Sequence, residues 1–163
     1  MAGVKLRFVT GLRTLNVLTD VCIAQLITAD DHAVVVRRVQ IDIDGSARTT
    51  SPACYVVLKK MADGTSGATP RTALVPTKMA DDPEDIQTVC RHFVNGQNNP
   101  DASGGDIDSK QIMVSGTAIS SLFFNFPQGL KVPANEGFGV FFDDGLSSGS
   151  TYAKINVTID FEE

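Results

Sequence analysis

Two residues have the types and spacing for covalent chemistry: Cys90 and His92, two apart in a stretch, Ile86 to Val94, that alternates weakly like a strand. A period of two puts both on one face, where an imidazole could act as base toward a thiol. The supporting groups are scarce. His32 is the only other histidine, no Gly-x-Ser-x-Gly elbow occurs, and Cys22 or Cys54 can approach Cys90 only through folding. An ordinary packed Cys-His pair is the favoured reading, and no catalytic residue is expected. Three cysteines are odd in number and widely spaced, which fits neither a disulfide framework nor zinc ligation and favours buried free thiols in a reducing compartment.

Carboxylates cluster at Asp30-Asp31, at Asp42 with Asp44, at Asp81-Asp82 with Glu84-Asp85, from Asp101 to Asp108, and at Asp143-Asp144. Calcium takes about six to eight oxygens, yet none of these runs has the EF-hand spacing. Solvated turns are the simpler reading, so neither a metal nor a cofactor is expected. No phosphate-cradling glycine pattern is present either, because Gly137-x-Gly139 falls within an expected strand. A formal charge of -5 and a pI near 4.9 argue against a general polyanion binder, so nucleic acid is excluded as the expected partner. No signal-peptide core and no membrane-length apolar run occurs, which predicts folding in a cytoplasm and no membrane contact.

The elements that would position these residues are strands. From Tyr152 to Glu163, Ala153, Ile155, Val157, Ile159 and Phe161 alternate with polar residues, as in a strand with one buried and one wet face. Asn156-Val157-Thr158 matches a glycosylation sequon on that wet face, a match best taken as chance. Val4, Leu6 and Phe8 predict a short first strand, placed at a sheet edge. Val21 to Ile27 predicts another, and Ala33 to Asp44 is the clearest internal strand, with Val39, Ile41 and Ile43 inward. Parity there turns Arg37 inward, so a bulge near Val36 or a carboxylate or carbonyl partner is required. Cys54 to Leu58 suits a central strand that Lys59-Lys60 ends in solvent.

Glycine and proline punctuate the rest. Ala62 to Asp85 is expected to be mostly loop, with a short strand at Ala73 to Val75 and a helical turn from Asp82 to Asp85. Asn95 to Ser109 reads as an exposed loop. Ile112 to Val114 is a short strand, and Ala118 to Phe126 a longer one with Leu122, Phe124 and Phe126 on one face and Ile119 and Phe123 on the other. Pro127-Gln128-Gly129 predicts a turn before a brief strand at Leu130 to Val132. Pro133 to Gly137 predicts a second turn, and then Phe138, Val140 and Phe142 oppose Phe141. About eight short strands in 163 residues predict an all-β, antiparallel sandwich of jelly-roll type in a single domain, 1–163, with residues 1–30 as an N-terminal arm or edge strand.

Beyond these elements the chain resembles a known family. The order Val34-Val35-Val36-Arg37-Arg38-Val39-Gln40-Ile41-Asp42-Ile43-Asp44-Gly45, then Cys54 to Leu58, then Phe126-Pro127-Gln128-Gly129, Val132-Pro133-Ala134, Gly137-Phe138-Gly139-Val140 and Val157 to Glu163 is similar to small all-β virion proteins of tailed bacteriophages, of the capsid decoration or cement type. The resemblance covers most of 33–163. It implies a structural protein rather than an enzyme, bound to the outer surface of a phage head, with the major capsid protein and its own copies as partners and the virion as its location. Surplus apolar residues at Ile119, Phe123 and Phe141, and the edge strand of Val4, Leu6 and Phe8, are the interface candidates. A carbohydrate- or receptor-binding sandwich of a phage tail or fibre is the alternative, although with no Trp and only Tyr55 and Tyr152 the chain is poor in stacking platforms.

Overall fold

A computed structural model describes residues 4–16, 21–44, 53–61, 72–79, 85–92, 105–113, 119–143 and 152–163. Every regular element among them is a strand: β1 (Lys5–Val9), β2 (Arg13–Asn16), β3 (Val21–Ile27), β4 (Val34–Asp44), β5 (Ala53–Met61), β6 (Thr72–Leu74), β7 (Thr77–Lys78), β8 (Val89–His92), β9 (Asp106–Met113), β10 (Ile119–Val132), β11 (Gly137–Asp143) and β12 (Tyr152–Glu162). They form two six-stranded antiparallel sheets. The first runs β10-β4-β12-β1-β7, with β2 also paired to β12, and the second runs β6-β8-β3-β11-β5-β9.

Leaving aside β6, β7 and β8, the chain crosses between sheets from β2 to β3, β3 to β4, β4 to β5, β9 to β10, β10 to β11 and β11 to β12. The resulting orders, β10-β4-β12-β1 against β9-β5-β11-β3, are those of a jelly roll. Antiparallel strands with one apolar face each need a facing layer, and the core supplies it: Leu6, Phe8, Ile41, Ile43, Phe124 and Phe161 of the first sheet meet Leu26, Val56, Leu58 and Phe138 of the second. Full burial of such a side chain contributes about 1.5–3 kcal/mol.

Two irregularities, besides the bulge at Arg37 of β4, shape the first sheet. Between β1 and β2 the chain takes one extra residue along β12, with Gly11 at φ 69°. Thr10 repairs the ladder there: its N–H donates to the Val157 carbonyl at 2.9 Å, and its hydroxyl accepts from the Val157 N–H at 2.9 Å. β1 and β2 are therefore one interrupted strand. The second irregularity lies between Asn125 and Leu130 on β10, which pair Arg38 and Val36 of β4. Pro127 is tolerated because β10 is an edge strand and the bulge needs no donor from it. Gly129, at φ 79°, is required, since a Cβ there would lie 2.3 Å from Val35 Cγ1.

Several expectations are corrected. Pro127 to Gly129 is not a turn and Leu130 to Val132 not a separate strand; both are part of β10. β5 runs past Lys59-Lys60 to a buried Met61, and β9 begins at Asp106, inside the expected loop. Within 4–16 and 21–27, β1, β2 and β3 are integral to the sheets, and β7 pairs the flank of β1 at Leu6 and Arg7. Residues 62–71, 80–84 and 95–104 lie outside the described residues, and so does most of the expected helical turn from Asp82 to Asp85.

Candidate interaction surface

Cys90 and His92 do share a face of β8, and that face is the interior. Cys90 pairs in register with Leu26 and His92 with Ala24, and both side chains are buried. Burial, reinforced by the nearby Glu163 carboxylate, pushes the Cys90 thiol far up, so it stays protonated and poorly nucleophilic. Glu163 Oε1 accepts the N–H groups of Gln87 and Thr88 at 3.0 and 3.1 Å, tying the approach to β8 onto the end of β12. Cys22, Cys54 and Cys90 are all buried and form no disulfide. Among the described residues no three metal-ligating side chains converge.

The interface candidates divide. Val4, Leu6 and Phe8 are 4%, 0% and 1% exposed and belong to the core, so they offer nothing to a partner. The sequence showed that they share a face but not that the face was internal and its flank covered by β7. Phe141 is likewise buried, at 2%. It projects from the outer face of the second sheet and lies back over Gly139, where a Cβ would stand 2.6 Å from the ring and 3.1 Å from Met61 Sδ. Lys59 Nζ sits 4.6 Å from the ring centroid, a cation-π contact whose apolar stem explains how the strand continues beyond the lysines. Ile119 and Phe123 alone are exposed, at 68% and 42%, on the outer face of the first sheet.

That outer face has a definite pattern. Register aligns Ile119, Asp44 and Lys154 in one row across β10, β4 and β12, then Ser121, Asp42 and Asn156 in the next, then Phe123, Gln40 and Thr158. Val9 of β1 extends the third row and is exposed. Asp42 is the hub: it accepts from Gln40 Nε2 at 3.0 Å, Ser121 Oγ at 2.8 Å and Asn156 Nδ2 at 3.2 Å. Partial burial opposes its charge, but these three bonds outweigh the burial and hold its carboxyl below the usual carboxylate range. A groove of about 410 Å³ opens over this row, floored by Asp42, Asp44 and Asn156 and flanked by Ile119 and the exposed Leu12.

Toward the opposite end of the same face the charge reverses. Arg7 Nε and Nη2 donate to the two oxygens of Asp160 at 2.7 and 3.1 Å, and Arg38 Nε reaches Asp160 Oδ2 at 3.1 Å. The hydrogen bond and charge of Asp160 raise the Arg7 pKa. Arg37 is the bulged residue of β4; it is turned outward and its Nη2 donates to Glu162 Oε2 at 2.7 Å. Arg37 therefore has both a bulge and a carboxylate partner, either of which would relieve its inward parity. At the outer margin, Lys110 of β9 donates from Nζ to the Phe123 carbonyl at 2.6 Å and lies 4.7 Å from the Phe124 ring centroid, so a lysine guards the edge of β10.

Parity alone could identify Asp42, Asp44 and Asn156 as outward-facing. Their convergence, and the place of Leu12 and Val9 beside them, depends on register between strands remote in sequence, which no local pattern encodes. No protein-family model and no curated protein matches this chain.

Proposed function

We propose that this chain is a structural virion protein, a decoration or cement subunit on the outer surface of a tailed-phage head that works through protein contacts. The observation that carries the reading is the outer face of the first sheet, where Ile119 and Phe123 stand exposed on an edge strand beside an ordered polar floor. An exposed large apolar side chain on a regular strand suits a protein interface. The jelly roll is a fold used in viral shells, which adds to the sequence resemblance. The chemistry-bearing pair, Cys90 and His92, is spent on the core. Co-expression with the major capsid protein of the same genome, followed by gradient sedimentation, tests the proposal. The chain is expected to travel with the shells and raise their disruption temperature; a chain that stays at the top of the gradient contradicts it.

A second reading has one specific feature in its favour. The groove over Asp42 and Asn156, with amide and carboxylate groups between apolar walls, has the make-up of a small-molecule or sugar subsite. A glycan array with reproducible hits that Asp42→Ala removes would favour a receptor-binding module; an empty array disposes of it.

A further inference from the structure

We infer that the outer face of the first sheet is a self-association surface, covered by the same face of a second copy of this chain. The inference rests on the proposed role in protein contacts and names the contact. Charge along the strands is self-complementary. On β4 the outward residues run from Arg37 and Arg38 through Gln40 to Asp42 and Asp44, cations at one end and acids at the other. On β12, Lys154 lies beside Asp44, and Glu162 lies at the arginine end.

Consider a two-fold axis lying in the interface, perpendicular to the strands and crossing β4 at Gln40. It keeps the strand order and inverts position along each strand. Asp42 then faces the second copy's Arg38, Lys154 faces the second copy's Glu162, and Asp44 falls in the row of Val35 and Glu162, beside the bulged Arg37 of the second copy, whose long side chain can reach it. The reciprocal pairs follow by symmetry, as an isologous contact requires. Phe123 and Val9 lie in the Gln40 row, so each meets its own counterpart near the axis and supplies an apolar centre between charged ends. A two-fold running along β4 would set Asp44 against Asp44 and Arg37 against Arg37, which is repulsive; one running between β4 and β12 would set Asp44 against Lys154 and Arg38 against Asp160, an arrangement that a paired Asp44 and Arg37 charge swap would not restore.

The area lies at the small end of the range for stable interfaces. Strand and inter-strand spacings give a face of about 30 Å by about 19 Å, roughly 600 Å² in projection before side-chain relief, against ~800 Å² per partner for a standard interface. Two twisted sheets meeting face to face cross at about 30°, so contacts nearest the axis, Phe123 and the Asp42-Arg38 pairs, are expected to fit best.

Sedimentation equilibrium tests the proposal. The native chain is expected to dimerise, with a dissociation constant that rises as salt goes from about 50 mM to about 500 mM. Asp44→Arg alone and Arg37→Asp alone should each weaken the dimer by about tenfold or more, and the two together should restore it. Phe123→Lys sets two ammonium groups against each other at the axis and should leave a folded monomer by circular dichroism. A native chain that is monomeric at high concentration overturns the inference, as does a charge-swapped double variant no tighter than the singles. Phage-head binding separates the two claims: a dimer of this kind that never binds heads removes the proposed function alone, and a chain that binds heads as a monomer removes the dimer alone.

Discussion

The two sheets of this sandwich share a core but end in opposite outer faces. On the second sheet, Phe141, Met61, Cys22 and Gln25 are buried, and Gly139 gives up its side chain so that the Phe141 ring can lie against the backbone. On the first, Ile119, Phe123, Val9 and Leu12 stand exposed around a hydrogen-bonded polar floor. An aromatic outside the sandwich therefore has two different meanings here. Phe141 serves the stability of the chain, whereas Phe123 is left for something else to cover.

Several experiments would break or sharpen that contrast. The largest effect is expected in thiol chemistry. Cys22 belongs to the covered face and Cys54 and Cys90 to the core, so Ellman's reagent should label the native protein only through opening, on the order of 10³-fold or more slower than the unfolded chain. Rapid labelling of one thiol would show the cover to be loose. Next, Phe141→Ala should cost about 3–5 kcal/mol in urea unfolding, the range of a buried aromatic truncation. Phe123→Ala should change stability by less than about 0.5 kcal/mol in dilute solution, as surface substitutions do.

Gly139→Ala, which forces the Phe141 ring and Met61 to shift, should cost about 1–3 kcal/mol. Equal tolerance of alanine at Gly139 and at Phe123 would erase the distinction between the faces. The smallest effect concerns acid. Asp42 has a folded pKa below its unfolded value, so its contribution is fully present above about pH 4 and is lost as pH falls through the folded pKa. The urea midpoint of the native chain should therefore drop more steeply below about pH 4 than that of Asp42→Asn. Parallel curves would mean that the Asp42 hydrogen bonds form no better in the folded chain than in water.

Much of the fold was legible because its central strands repeat with a period of two. Tyr152–Glu162 and Val34–Asp44 are paired to each other and read clearly, since each has one face in the core and one in water. The misreadings have physical causes. Pro127 and Gly129 have the composition of a turn, but on an edge strand the same residues make a bulge. Asp106 to Ser109 looked like loop because an edge strand facing water carries polar residues on both sides. Lys59-Lys60 suggested an end because the sequence does not show a lysine stem lying over Phe141.

The candidate site was half legible. Parity placed Ile119 and Phe123 opposite Phe124, and both are exposed. It could not distinguish an outer face that is covered from one that is open, which is why Phe141 was grouped with them. Nor could it bring Asp42, Ser121 and Asn156 together, because three strands distant in the chain must first find their register.

Hydroxyl-radical footprinting at low and high protein concentration tests the contrast between the faces most directly. The account predicts that Phe123 and Leu12 are modified in dilute solution and protected when concentrated, while Met61 and Phe141 stay unmodified at both. Modification of Phe123 that does not change with concentration, or a Met61 as reactive as Phe123, would contradict it.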